Sequence, residues 1–197
     1  MTDNAEEIVA QIERLGRLAR AAQHEEGMKP VQWEVLRYLS RARKQSRNPG
    51  ALADFLSSTR GTVSQTLIAL EKKGLIKRLN CGSDGRAKRL ELTPAAHEML
   101  TRDPMEKFTI AVSELGEAPG LLESLKGIVT TLVAQNGTNS FGDCRNCSQY
   151  VIKDLGGICR PKEMDIPAEE AVQLCRDFEP LLTGDIKHSN IPVKMMS

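Results

Sequence analysis

Residues 49–93 read PGALADFLSSTRGTVSQTLIALEKKGLIKRLNCGSDGRAKRLELT, and this stretch decides the fold. Asn48-Pro49 predicts the start of a short helix whose apolar residues are Leu52, Phe55 and Leu56. The polar turn Ser57-Ser58-Thr59 supplies an N-cap for a second helix with Val63, Leu67 and Leu70 on one side. Lys72-Lys73-Gly74 stops that helix: cations suit its negative end, and Gly takes the left-handed conformation just past it. Two apolar runs follow, Leu75-Ile76-Lys77-Arg78-Leu79 and Ala87-Lys88-Arg89-Leu90-Glu91-Leu92, around a polar loop from Asn80 to Arg86. Alternation around a Gly/Asp/Ser loop predicts a β-hairpin.

Helix, turn, helix and then a basic hairpin is the order of a winged helix-turn-helix. From Ser57 to Leu90 there are eight Lys/Arg (Arg60, Lys72, Lys73, Lys77, Arg78, Arg86, Lys88, Arg89) against Glu71 and Asp84. The local net charge is +6, in a chain whose total is +1. Phosphate neutralisation supplies most non-specific DNA affinity, so charge gathered on one element is what a duplex requires. A charge run alone usually marks a solvated face; here it coincides with the turn chemistry and the wing. With Val63, Leu67 and Leu70 facing the domain, Thr62, Ser64 and Gln65 point outward near the N-terminal end, where base edges are read. Gln65 suits paired bonds to adenine and Thr62 a methyl contact with thymine. Arg60 and the free first-turn amides suit phosphate. Thr62 and Ser64 are also ordinary first-turn residues, and that reading stands beside the functional one. Gly61 lowers helix propensity by about 1 kcal/mol relative to Ala, which a close backbone approach to the duplex explains.

Trp33 and Leu36, Ser58 to Ser64, Leu70 to Ile76 and Asp84 to Thr93 together resemble the MarR family of transcriptional regulators, over roughly residues 5 to 135. The resemblance implies an obligate homodimer whose outer helices pair and whose two recognition helices enter successive major grooves of a double-stranded DNA operator. It also implies that Arg86 enters the minor groove, that Asp84 braces the hairpin, and that a small-molecule effector is possible. A guanidinium in a narrow minor groove responds to its negative potential. Lys88 and Arg89 are then expected at phosphates and Arg78 among the DNA-binding residues, although Lys88 or Arg89 can instead pair with Glu91 or Asp84 and hold the hairpin.

The rest of the first domain reads as scaffold. Ile8, Ile12, Leu15, Ala19 and Ala22 recur at helical spacing, and Pro30 opens a helix with Trp33, Leu36 and Leu39 inward. After Thr93-Pro94, one helical pattern carries Met99, Leu100, Phe108, Val112 and Leu115, with Pro104 expected to bend or break it. Another carries Leu122, Leu125, Ile128, Val129 and Leu132. These helices hold more apolar surface than a small winged domain buries, so pairing with a second copy is expected. A chain of 197 residues with 40% hydrophobic content holds one full core and a small appendix. No apolar run approaches membrane-spanning length, and Met1 to Gly16 is charged and amphipathic, so a cytoplasmic protein without membrane contact is expected. With 4% aromatic residues the chain has little to stack on single-stranded bases, which argues against an RNA platform.

Four of the five cysteines fall after Gly137: Cys144, Cys147, Cys159 and Cys175, spaced C-x2-C-x11-C-x15-C. The segment around them has few apolar residues, and so small a piece needs a cross-link or a metal to fold. A reducing compartment disfavours disulfides, which leaves four thiolates around a metal centre. One pair and two single cysteines suit a [4Fe-4S] cluster; structural zinc, typically held by two close pairs, is the alternative, and unmetallated thiols a third. Cys144-Arg145-Asn146-Cys147-Ser148-Gln149-Tyr150, Gly157-Ile158-Cys159 and Cys175 also resemble high-potential iron–sulfur proteins. The chain departs from that electron-transfer pattern: no Trp follows the last cysteine, and Arg176-Asp177-Phe178-Glu179-Pro180 sets charges beside it. Cys81 stands apart in the expected wing, either a small residue in a hairpin arm or a redox-sensitive thiol among cations.

No glycine-rich phosphate loop, nucleophile elbow, His-Glu-x-x-His helix or paired-carboxylate constellation stands out, so no enzyme is expected. The sequence predicts a mainly α protein with a small β wing. Residues 1–137 are expected to form a winged helix-turn-helix with dimerisation helices, and 138–197 a small irregular cysteine-rich metal-binding module. The expected function is a sequence-specific transcriptional regulator, a repressor, responsive to redox, oxygen or iron through a cluster bound by the four cysteines. The alternatives are the same regulator braced by structural zinc, and an iron–sulfur accessory or electron-transfer protein on a DNA-binding scaffold.

Overall fold

In the computed structural model the described residues are 2–180 apart from 25, 82–86, 117, 138–139 and 154. They fall into two compact units, Met1–Asn139 and Ser140–Ser197.

The first unit opens with α1 (Thr2–Ala22) and α2 (Pro30–Arg41). The helix-turn-helix is α3 (Pro49–Phe55) and α4 (Arg60–Lys72), and the hairpin is β1 (Ile76–Cys81) with β2 (Ala87–Leu92). Three helices follow: α5 (Pro94–Leu100), α6 (Glu106–Ser113) and α7 (Ala118–Asn136). Local chemistry sets these boundaries. Pro30, Pro49 and Pro94 occupy first-turn positions, where a missing N–H is harmless. Asn48, Thr59 and Thr93 side chains accept hydrogen bonds from the amides of Ala51, Thr62 and Ala96 at 2.9, 3.2 and 3.3 Å. The amides of Gly74 and Leu75 return to the carbonyls of Glu71 and Leu70 at 2.9 and 3.0 Å, with Gly74 at φ +69, so α4 ends in a Schellman turn. Pro104 lies in the gap between α5 and α6 and breaks the long apolar pattern in two.

The core sits between α2 and the helix-turn-helix. Trp33, Leu36, Tyr38 and Leu39 are fully buried together with Leu52, Leu67, Leu70 and Leu90. The Tyr38 hydroxyl donates to the Ser46 carbonyl at 2.6 Å, so its polar end is satisfied. Arg37, on the other side of α2, donates to Asp103 at 2.9 and 3.2 Å and to Gln23 at 2.6 Å. That network joins α2 to the end of α1 and to the connection before α6. In contrast, Ile8, Leu15, Ile110, Leu122 and Val129 are all at least half exposed, and most other large apolar residues of α1, α6 and α7 are also exposed.

The second unit differs from the irregular module that its sequence suggests. It holds an antiparallel meander of β3 (Tyr150–Lys153), β4 (Gly156–Cys159) and β5 (Met164–Pro167), followed by the short α8 (Ala168–Ala171). Its hidden core is Cys144, Ile166 and Ala171, with Tyr150, Cys159 and Met164 packed against it. Gly157 permits this packing: a Cβ there would stand 2.4 Å from the Tyr150 ring. Among the described residues no helix is long and apolar enough to cross a membrane.

Candidate nucleic-acid interface and cysteine site

The candidate recognition surface is the face of α4 turned from the core. Val63, Thr66, Leu67 and Leu70 are buried, while Arg60, Thr62 and Gln65 are exposed and Ser64 is half-buried. The Thr59 and Thr62 hydroxyls lie 2.9 Å apart, so the cap and the first turn share a hydrogen bond. Thr62 is thus an exposed first-turn residue bonded to the cap. Sequence reasoning misses Ile68, which lies four residues after Ser64 and is exposed on the same face.

The wing is bolted to this helix. Strands β1 and β2 pair from Ile76↔Leu92 to Cys81↔Ala87. The Thr93 hydroxyl, at the end of β2, donates to the Gly74 carbonyl at 2.7 Å, and the Thr93 amide donates to Leu75 at 3.1 Å. Arg78 Nε lies 2.9 Å from Glu71 Oε2, with both side chains about one third exposed or less. Arg78, expected to bind DNA, is paired with Glu71 within the fold and joins β1 to the last turn of α4. Arg89 Nη2 lies 2.8 Å from Glu91, the hairpin-holding alternative weighed for it. Lys88 is exposed and donates across the hairpin to Asn80, its register partner. Asp84 and Arg86 fall outside the described residues, as does the Cys81 side chain. Arg60, Lys72, Lys73 and Lys77 are exposed cations around the helix and the base of the wing.

Residues 26–87 match the model of the MarR family. That segment is similar to the MarR family, and its winged helix-turn-helix is the fold the two share. Members of the family are DNA-binding transcriptional regulators and not enzymes. Solved structures share the fold. A MarR transcriptional regulator from Methanosarcina mazei matches with a TM-score of 0.57 at 19% identity, over 66% of this chain and 98% of that one. The regulator BldR from Sulfolobus solfataricus matches at 0.54 and 19%, over 66% and 97%. MepR of S. aureus, solved in complex with DNA, matches at 0.52 and 23%, over 65% and 92%. No curated protein matches the chain significantly.

Backbone pairing gathers the cysteines of the second unit. Gly142 and Cys175 exchange hydrogen bonds at 2.8 and 3.3 Å, which sets the last cysteine against the segment carrying the first two. Cys147 lies opposite Pro180 in a second antiparallel bridge, where the Ser148 amide donates to the Glu179 carbonyl at 2.9 Å. Cys159 ends β4 opposite Tyr150 and packs against the buried cluster of Cys144, Ile166 and Ala171. No disulfide is formed among the four. Lys162 Nζ lies 3.0 Å from Asp177, linking the turn after Cys159 to the loop after Cys175. The Asp177 carboxylate, by hydrogen bond and charge, holds the Lys162 ammonium above its ordinary range, and negative charge at Cys159 and Cys175 adds in the same direction. Among the described residues, no three His, Cys, Asp or Glu side chains converge as ligands of one small ion would. A four-iron cluster asks for a different arrangement, one thiolate at each iron from well-separated directions.

Proposed function

We propose that this chain is a homodimeric regulator that binds a near-palindromic operator and reports iron or redox status through its four-cysteine module. The observation that carries the DNA-binding half is the outer face of α4, on which Gly61, Gln65, Ile68 and Lys72 are exposed, beside a basic wing that is tied to it at Thr93 and Arg78. Major-groove recognition needs a helix held rigidly, with its polar face open and cations at its edges. Homodimer formation follows from the exposed apolar residues of α1, α6 and α7, which a second copy would cover. Occupation of an operator by such a dimer favours repression, since it excludes other proteins from the same site. An open groove lined by Glu34, Arg37, Arg41, Phe55, Leu56 and Ser57 is the place to seek a small-molecule effector.

The cysteine half rests on how the strands and bridges draw one pair and two single cysteines into one small unit. Cys144, Cys147, Cys159 and Cys175 would hold a [4Fe-4S] cluster, which supplies one-electron chemistry and sensitivity to oxygen and iron supply. The chain's own part is to shield Cys144, which is 5% exposed, and to set the Lys162 ammonium near an anionic centre. Two measurements test the proposal. Anaerobically purified full-length protein should contain four iron and four sulfide per chain; one zinc per chain would replace the sensor with a structural brace. Selection from a random-sequence duplex library should enrich a near-palindrome with half-sites about one helical turn apart, and no enrichment would overturn the regulator reading.

A further inference from the structure

Between Gln23 and Met105 the described residues leave one large apolar side chain exposed, Ile68 at 38%. The other exposed large apolar residues of the first unit lie in α1 or from α6 onward. Packing gives no reason for isoleucine at this position, because Val63, Thr66, Leu67 and Leu70 form the buried face of α4. At 3.6 residues per turn, Gly61, Ser64, Gln65, Ile68 and Lys72 fall within about 100° of arc on the opposite side. A lone exposed isoleucine is ordinary on a protein surface. This one stands at the centre of the face that carries Ser64 and Gln65, with the exposed cations Arg60 and Lys72 at the two ends of the same helix. The charge around it suits a polyanion, and the groove of a duplex offers one apolar group to such a side chain, the thymine methyl.

We infer that Ile68 is a specificity residue that packs on the C5-methyl of a thymine in the major groove, about 6 Å farther along α4 than Ser64. Cytosine at that position lacks the methyl and would bury its amino group against an alkyl side chain without a partner, so thymine is preferred. The inference rests on the DNA-binding reading and assigns part of its sequence preference.

The test uses full-length protein and the duplex enriched by the wild type from a random-sequence library. Each thymine is replaced in turn by uracil, which removes the methyl and leaves the pairing edge unchanged. Wild type should bind about fourfold more weakly when one particular thymine per half-site is replaced, the ~0.8 kcal/mol of one buried methyl group. Ile68→Ala should bind the intact duplex more weakly and show no response to uracil at that position, while Ile68→Val keeps part of the response. Both variants should melt as the wild type does, because the side chain is exposed. Equal uracil penalties for wild type and Ile68→Ala at every thymine would overturn the inference, as would a change in the oligomeric state of Ile68→Ala, which would assign the residue to an interface between copies. Failure to enrich any duplex would instead remove the DNA-binding reading, and this assignment with it.

Discussion

A Cβ added at Gly61 would meet Thr59 Oγ1 at 3.8 Å, an ordinary van der Waals contact, and the residue lies within α4. The fold therefore has no need of glycine here, and alanine is the better helix former by up to about 1 kcal/mol. Gly61→Ala is expected to raise the stability of the free protein by up to that amount and to weaken binding to the selected duplex. Urea melts and duplex titrations check the two signs; stronger binding by the variant would show that no backbone approaches DNA at this turn. The residue scale is also where sequence reading is least complete. It counts Arg78 and Arg89 as cations, yet the folded chain sets Glu71 and Glu91 against them. Glu91 is foreseeable for Arg89, two residues away on the same face of β2, but Glu71 is not for Arg78, because that pair joins a strand to a helix. The position of Ile68 is different: helical periodicity places it one turn beyond Ser64, so the signal that finds it is present in the sequence.

Elements are easier to read than side-chain partners. The starts of α3, α4 and α5 follow from a capping residue before the first turn, and the end of α4 from Gly74. Each is a local instruction, so it is visible in the sequence. The meander of the second unit is not local. Gly156-Gly157-Ile158-Cys159 has no apolar alternation, and the strand forms where Tyr150 lies over Gly157 and β5 pairs on its other side. Strand pairing across loops of this kind depends on contacts that one segment does not announce. Thr93 shows how firmly the hairpin is joined to the helix before it. Its hydroxyl donates to Gly74 and accepts from the Ala96 amide, at 7% exposure. Thr93→Val keeps the shape and removes both side-chain bonds, while the Ala96 amide keeps its bond to the Thr93 carbonyl and Gly74 is open to solvent. The expected loss is about 0.5–1.5 kcal/mol, seen as a lower urea midpoint at unchanged slope, and Thr93→Ser should recover most of it. An unchanged midpoint for Thr93→Val would mean that the junction is held by the β-pairing alone.

At the scale of the whole molecule, apolar faces and cysteines raise the same issue, how a small unit holds its shape. Leu125, 42% exposed on α7, belongs to the face that the proposed second copy covers. Leu125→Lys should therefore sediment as a monomer at micromolar concentration and lose the steep affinity for a two-half-site duplex, while a dimeric variant would move the interface elsewhere. The second unit hides Cys144, Ile166 and Ala171 among its described residues, far too little apolar surface to offset the entropy of ordering it. Metal binding by its cysteines would then also be its folding step. Its first residue, Ser140, comes four positions after Asn136 ends α7, so folded and unfolded forms of the module act on a chain that leads directly into a proposed dimer helix. A centre can shift operator affinity only through a difference in its stability between the binding and non-binding states, typically about 1–3 kcal/mol, or roughly 5- to 150-fold. Cys159→Ser is expected to abolish the centre and change operator affinity within that range, whereas Cys81→Ser should leave the centre intact. Titration of one duplex at one salt concentration with anaerobic wild type, oxidised wild type and Cys159→Ser decides the matter. Three equal affinities, with iron present in the anaerobic wild type alone, would mean that the module holds its cluster without influencing DNA.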